Sequence, residues 1–157
     1  MNIKIRNVTI EDAQLLFEWA NDPEIRENSF HQGAIEWNDH IVWLNNKLHD
    51  SSCKMFIFHQ NNNPIGFVRL ENDENAVISV TVASDKRGKG FGTEIIKMAC
   101  SKFWGKSDRS IFGYIKESNK ASLKACKKAG FKFLRSDFLN QIPYFILIAE
   151  KNGNKQY

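Results

Sequence analysis

Hydrophobic and polar positions change period several times along this chain, and each change marks an element. Ile3, Ile5 and Val8 alternate with polar residues, as the inner side of a strand does. Thr9, with Asp12 three residues later, resembles a capping box and opens a helix whose apolar face is Ala13, Leu16, Phe17 and Ala20. Asn21-Asp22-Pro23 ends that helix, because a residue before proline avoids the helical region. Arg26 to Gly33 is rich in polar groups and predicts an irregular connection. Trp37, Ile41, Leu44 and Leu48 then fall on one face of a second helix. Lys54 to His59 and Ile65 to Leu70 read as strands joined by Asn61-Asn62-Asn63-Pro64, a hairpin signal. A turn at Asn72 to Asn75 leads into a further strand, Ala76 to Val82.

Gly92, Ile96, Ala99 and Phe103 set a helix over about 90–104, and Ile111 to Ile115 is a strand. Asn119 to Ala129 is a helix closed by Gly130, and Phe131 to Leu139 and Pro143 to Ala149 complete the sheet. The predicted order, β-α-α-β-β-β-α-β-α-β-β, gives an α/β fold with a mixed sheet and helices on both faces. Neither a repeat nor a linker interrupts it, so 1–151 reads as one domain and 152–157 as a polar tail.

Composition narrows the function classes. The 157 residues, 42% hydrophobic, supply one domain's core. No stretch approaches the roughly 18 apolar residues of a membrane span, and Met1 to Arg6 lacks the apolar segment of a signal peptide. The expectation is a cytoplasmic protein with no membrane partner. Cys53, Cys100 and Cys126 stand far apart without a CxxC pair, which suits reduced thiols and predicts no metal site. A net charge of +4 suits an anionic nucleotide ligand. The lysines around 120–132 lack interleaved aromatics for stacking bases, so a nucleic-acid partner is not expected.

The most informative segment is Val80-Thr81-Val82-Ala83-Ser84-Asp85-Lys86-Arg87-Gly88-Lys89-Gly90-Phe91-Gly92-Thr93. A strand ends, a short polar loop follows, and alternating glycines open a helix. Glycine lets backbone approach an oxygen closely, and the first helical N–H groups are unpartnered at the positive end of the dipole. Together they make a pyrophosphate cradle. A P-loop requires Lys-Ser/Thr after its last glycine, where this chain has Thr93-Glu94. A dinucleotide fingerprint requires its third glycine at position 93.

The segment instead resembles motif A of the GNAT acetyltransferases, R/Q-x-x-G-x-G/A, with Arg87, Gly90 and Gly92 in place. Asn119-Lys120-Ala121-Ser122-Leu123-Lys124-Ala125-Cys126-Lys127-Lys128-Ala129-Gly130-Phe131 resembles the family's motif B, N-x-x-S-x-x-x-Y-x-x-x-G-F. The predicted elements fall in family order over nearly the whole chain. The resemblance implies the GNAT fold, a mostly antiparallel sheet splayed after its fourth strand, and acetyl-CoA as cofactor. It implies that main-chain groups of Val80 and Val82 pair with the pantetheine arm as an added strand. The amides of Arg87, Gly88, Lys89, Gly90, Gly92 and Thr93 would hold the pyrophosphate, and Asn119 would touch the cofactor. Lys86, Lys89 and Lys124 are candidates to neutralise phosphates.

The implied reaction is direct attack of a primary amine on the thioester in a ternary complex, with a backbone N–H near Val82 stabilising the developing charge. One residue departs from the pattern: the family's tyrosine acid aligns with Cys126. Cys126 is either a weak general acid or a small core residue, with Ser122, Tyr114 or water as substitutes. Glu71 and Glu74 are the candidate bases; His31 and His40 titrate in a useful range, and Ala76 stands where histone-type relatives carry their base.

Asn21-Asp22-Pro23-Glu24-Ile25-Arg26 and His40-Ile41-Val42-Trp43 are similar to segments of GNAT enzymes that acetylate nucleotide-linked 4-amino sugars, as in pseudaminic acid biosynthesis. That resemblance places Arg26, His40 and Trp43 at the acceptor, a UDP-amino sugar. A similar N-D-P stretch occurs in acetyltransferases of ribosomal-protein N-termini, which keeps a protein acceptor open. So does a non-catalytic CoA-binding module, given Cys126. A monomer and a homodimer both fit.

Overall fold

The computed structural model describes residues 1–151 of the chain; the expected tail at 152–157 lies outside the described residues. Seven strands form one sheet in the order β1-β2-β3-β4-β5-β7-β6. They are β1 (Lys4–Asn7), β2 (Cys53–Gln60), β3 (Asn63–Asn72), β4 (Ala76–Val82), β5 (Ile111–Lys116), β6 (Lys132–Leu139) and β7 (Ile142–Ala149). Every pairing is antiparallel except β4–β5. Five helices accompany the sheet: α1 (Ala13–Ala20), α2 (Pro23–Asn28), α3 (Trp37–Leu48), α4 (Phe91–Trp104) and α5 (Lys120–Lys128).

Alternation along β2 shows how two helical layers are served. Phe56 and Phe58 join one core with Ile95, Ile96 and Ala99 of α4 and Leu123 of α5. Met55 and Ile57 join the other with Leu16 of α1 and Leu44 of α3. The expected helices on both faces are thus present. Asn61 and Asn62 take φ of 51° and 65° between β2 and β3. Two left-handed residues match the twist of a hairpin, and asparagine tolerates that region better than most. Gly66 on β3 is required by space: a Cβ there would stand 2.7 Å from both the Thr81 carbonyl oxygen and Ile95 Cδ1.

The N-terminal third differs from expectation. Asn21-Asp22-Pro23 ends α1 but also begins α2, one helix more than the periodicity indicated. Asp22 Oδ1 accepts the amides of Glu24 (3.0 Å) and Ile25 (3.4 Å), and Pro23 occupies the first turn, where its missing N–H costs nothing. Arg26 therefore stands on a helix, and only the stretch after Asn28 is irregular.

Candidate active site

The sheet opens between β4 and β5. The two strands pair only at Ala76↔Ile111 and Val77↔Phe112, then part, leaving the rest of β4 without a neighbour on that side. Which backbone groups face the opening follows from the ladder with β3. The Ala83 amide donates to the Ile65 carbonyl (2.9 Å), so Thr81, opposite Phe67, also bonds across to β3. Pairs alternate in an antiparallel ladder. Val80 and Val82, opposite Val68 and Gly66, therefore turn N–H and C=O away from β3 and into the opening. These are the main-chain groups expected to pair with an extended amide-bearing arm.

Beyond β4 the chain forms the glycine turn. Gly88 and Gly90 have φ of 74° and 85°, and Gly90 is the N-cap of α4. The first bond of the helix runs from the Glu94 amide to the Gly90 carbonyl (3.4 Å), which leaves the amides of Phe91, Gly92 and Thr93 at the open end. A Cβ on Gly92 would lie 3.6 Å from Ala125 of α5 and 3.6 Å from Val82, ordinary packing distances, so Gly92 marks where α4, α5 and β4 meet without being demanded by space. Lys89 Nζ bonds the Asp85 carbonyl (3.1 Å) across the same turn, while Lys124 is exposed on α5. Asn119 caps α5, its Oδ1 accepting the Ser122 amide (3.3 Å). This geometry fits a diphosphate-bearing cofactor with an extended arm: donors at a helix start, a turn made by left-handed Gly88 and Gly90, and an unpaired strand edge beside them.

Arg87, the first residue of motif A, contributes its side chain as well as its amide. Nε donates to the Val82 carbonyl (3.1 Å), Nη2 to Asp22 Oδ1 (3.2 Å) and Nη1 to Glu24 Oε2 (2.5 Å). One guanidinium thus ties the end of β4, the glycine turn and the start of α2 together. Nothing in the sequence joined Asn21-Asp22-Pro23-Glu24 to a motif more than sixty residues away; only the fold brings them into contact.

The structure corrects the expected general acid. Cys126 is 4% exposed and sits in the core with Cys100, Leu123 and Phe131. Burial pushes its thiol up to about 12. Such a group neither reaches the opening nor gives up a proton near neutrality, so Cys126 is a core residue. Cys126→Ala should lower kcat less than tenfold and act mainly on the melting temperature, through the cavity it leaves. A thousandfold loss of kcat with unchanged stability would return the thiol to catalysis.

Glu71 is not a free base either. Its Oε1 lies 3.0 Å from Lys47 Nζ and 2.9 Å from Arg69 Nε, the latter off the N–H axis and so ionic without being a directed hydrogen bond. Arg69 in turn lies over the Trp43 ring, 5.2 Å from its centroid. Trp43 thus stands on the sheet face opposite α4.

Arg26 and His40 have other work. Arg26 Nε donates to the Ala20 carbonyl (2.6 Å), Nη1 to the His31 carbonyl (2.7 Å) and Nη2 to the Ser29 hydroxyl (3.2 Å). Its donors fasten the loop after α2. His40 is 3% exposed and Nε2 lies 3.0 Å from the Ala13 carbonyl, which can only accept, so Nε2 carries the proton. Burial holds the imidazole below its ordinary value against the pull of that carbonyl. These contacts give both residues structural roles: Arg26 shapes the loop, and His40 joins α1 to α3.

Apart from Tyr114, the residues that face this loop were not singled out by the sequence. Lys116 is 4% exposed; its amine donates to the Glu27 carbonyl (2.8 Å) and lies 6.0 Å from the Phe30 ring centroid. Phe30 meets Tyr144 edge-on at 5.2 Å, and Tyr144 meets Tyr114 at 6.0 Å. Tyr114, Lys116 and Tyr144 lie on one sheet face by alternation and by the pair Lys116↔Tyr144. A lysine at the end of the apolar run Ile111 to Ile115 was the available signal, and it points equally to a strand end in solvent.

Comparison with known proteins agrees with this geometry. A family model described as "Acetyltransferase (GNAT) domain" matches residues 2–132. The acetyltransferase PseH of Campylobacter jejuni subsp. jejuni serotype O:23/36 (strain 81-176) is 27% identical over 143 residues, covering 86% of this chain and 88% of the relative. Among solved structures, the aminoglycoside acetyltransferase AAC(6')-Ib with ribostamycin and coenzyme A superposes with a TM-score of 0.85 at 19% identity, covering 98% of this chain and 96% of that one. Spermidine N-acetyltransferase from Vibrio cholerae, with CoA and spermine, gives a TM-score of 0.85 at 17% identity, covering 96% of each chain. Among the described residues no helix is long and apolar enough to cross a membrane. With a family model over most of its length and a cradle that fits the cofactor, this chain belongs to the GNAT family and is an acetyl-CoA-dependent N-acetyltransferase.

Proposed function

We propose that the acceptor is a nucleotide-linked 4-amino sugar, acetylated on its amine. The observation that carries this reading is the charge of the sheet face opposite α4. Lys47 and Arg69 stand there around the Glu71 carboxylate, and Lys116 stands there with its amine on the Glu27 carbonyl. Among the described residues no carboxylate pairs with Lys116. A polycation such as spermine would meet like charge there, whereas a diphosphate would be drawn in. Phe30, Tyr114 and Tyr144 offer ring faces to a sugar or base. The similarity to the Campylobacter acetyltransferase PseH, spanning both halves of the chain, supports this reading.

In this reading acetyl-CoA supplies an activated acetyl group, and the protein binds and orients both partners. Val80 and Val82 hold the extended arm, with the Val82 N–H as a donor into the opening. The amides from Arg87 to Thr93 and Asn119 hold the diphosphate end. Trp43 and the Phe30–Tyr144 wall place the acceptor. Proton exchange falls to Tyr114, exposed on β5 beside the opening, now that Cys126 is buried.

The test is an acetylation assay that offers three amines at equal concentration: a UDP-linked 4-amino-4,6-dideoxy sugar, an N-terminal peptide of a ribosomal protein, and spermidine. The sugar nucleotide should show the highest kcat/KM, by tenfold or more. Faster turnover of the peptide or the polyamine would overturn the assignment.

A further inference from the structure

Three polar or charged side chains are buried among the described residues: Asp12, His40 and Lys116. Two of them are satisfied where they stand. Asp12 gives both its oxygens to the Arg6 guanidinium, at 2.7 and 2.8 Å. His40 spends its proton on the Ala13 carbonyl. Lys116 is different. Its ammonium carries three N–H donors, and the bond to the Glu27 carbonyl at 2.8 Å uses one. That carbonyl also accepts Gln32 Nε2 at 3.2 Å, so both its lone pairs are taken.

The less buried cations show what Lys116 lacks. Arg87 has Asp22 and Glu24, and Lys47 and Arg69 share Glu71. Asp137 lies on the same sheet face as Lys116, across Tyr144, but is bonded to Arg135 at 3.2 Å. A buried charge is costly unless a counter-charge and hydrogen bonds compensate it. Two donors and one positive charge are therefore left over at a single atom. A phosphate oxygen supplies the negative charge and the lone pairs together.

The position suits an acceptor. β5 has no β4 neighbour beyond Phe112, so Tyr114 and Lys116 border the opening on the face away from α4. Phe30, from the loop after α2, and Tyr144 stand beside the amine as an apolar wall. The cofactor cradle at 87–93 is built from amides of another element, so this amine is not needed there.

We propose that Lys116 is the specificity-determining residue for the acceptor, its two unspent N–H donors binding a phosphate oxygen of the nucleotide. The inference rests on the sugar-nucleotide reading and assigns its anionic contact to one side chain.

Titration calorimetry on the chain saturated with CoA tests this, since the cofactor cradle is then filled. UDP should bind, and more tightly than inorganic pyrophosphate. Lys116→Gln keeps an N–H donor but drops the charge, and should raise the UDP dissociation constant at least tenfold. Lys116→Arg keeps the charge and should stay within about threefold of wild type. Lys116→Met, which matches the buried stem, should behave like the Gln variant and serves if that variant melts early. In kinetics, the ratio of kcat/KM for the sugar nucleotide to that for the free 4-amino sugar should fall at least tenfold in Lys116→Gln, whereas a side chain that only anchors the loop lowers both alike. UDP affinity unchanged by Lys116→Gln, an unchanged ratio, or pyrophosphate binding as tightly as UDP would each overturn the proposal. So would an equal loss of CoA affinity, which would put the amine on the cofactor. These outcomes leave the acceptor reading standing; that reading fails separately, if a peptide or polyamine is the faster substrate of wild type.

Discussion

Gly90→Glu is expected to abolish acetyl-CoA binding. Gly90 has φ of 85° and caps α4, with the free amides of Phe91, Gly92 and Thr93 following it. A glutamate there adds a left-handed strain of roughly 1–2 kcal/mol and brings a carboxylate to the place where the helix dipole and those amides favour an anion. The dissociation constant for acetyl-CoA should rise at least a hundredfold, about 2.7 kcal/mol, and the rise in melting temperature that the cofactor gives wild type should disappear. Gly90→Ala separates the two causes, since it carries the strain without the charge and should lose about tenfold or less. If titration calorimetry finds the glutamate variant binding like wild type, the cradle lies elsewhere.

Arg87→Ala is expected to weaken both substrates at once. Its guanidinium bonds the Val82 carbonyl, Asp22 and Glu24, and so links the cofactor turn to the helix that carries the acceptor-side loop. Exposed ion pairs contribute little, but this group is only about a quarter exposed and one of its bonds runs to a main-chain carbonyl at the end of the cofactor strand. kcat/KM for acetyl-CoA and the KM for the acceptor should both worsen by roughly tenfold, and Arg87→Lys should recover little, because an ammonium lacks the fork that spans three partners. A pure surface ion pair predicts unchanged kinetics in both variants. Steady-state rates with each substrate varied in turn distinguish the outcomes.

The glycine turn was legible in the sequence because its signal is local. Consecutive amides at one helix start lie within Arg87 to Thr93, seven contiguous residues, and Gly88 and Gly90 stand where φ demands glycine. The candidate catalytic and acceptor residues were less legible, because they come from distant elements. Arg26, His40, Glu71 and Cys126 were plausible by residue type, and each has its polar atoms taken by, or buried among, partners that only folding supplies.

The sequence by itself determined the strands and most of the helices, the two-layer burial and the phosphate turn, since periodicity, hairpin asparagines and left-handed glycines are properties of neighbours along the chain. The tertiary structure alone decided three things. β7 lies between β5 and β6, which leaves β6 and its exposed Phe133, Leu134, Phe138 and Leu139 on an edge. β4 and β5 part after two pairs, which frees the main-chain groups of Val80 and the amide of Val82, while the Val82 carbonyl takes Arg87. Arg87 closes on Asp22 and Glu24. The physical reason is common to all three. Strand order, splay and long-range ion pairs are set by which surfaces meet after loops have closed, and a residue's type does not encode the partner that folding brings to it.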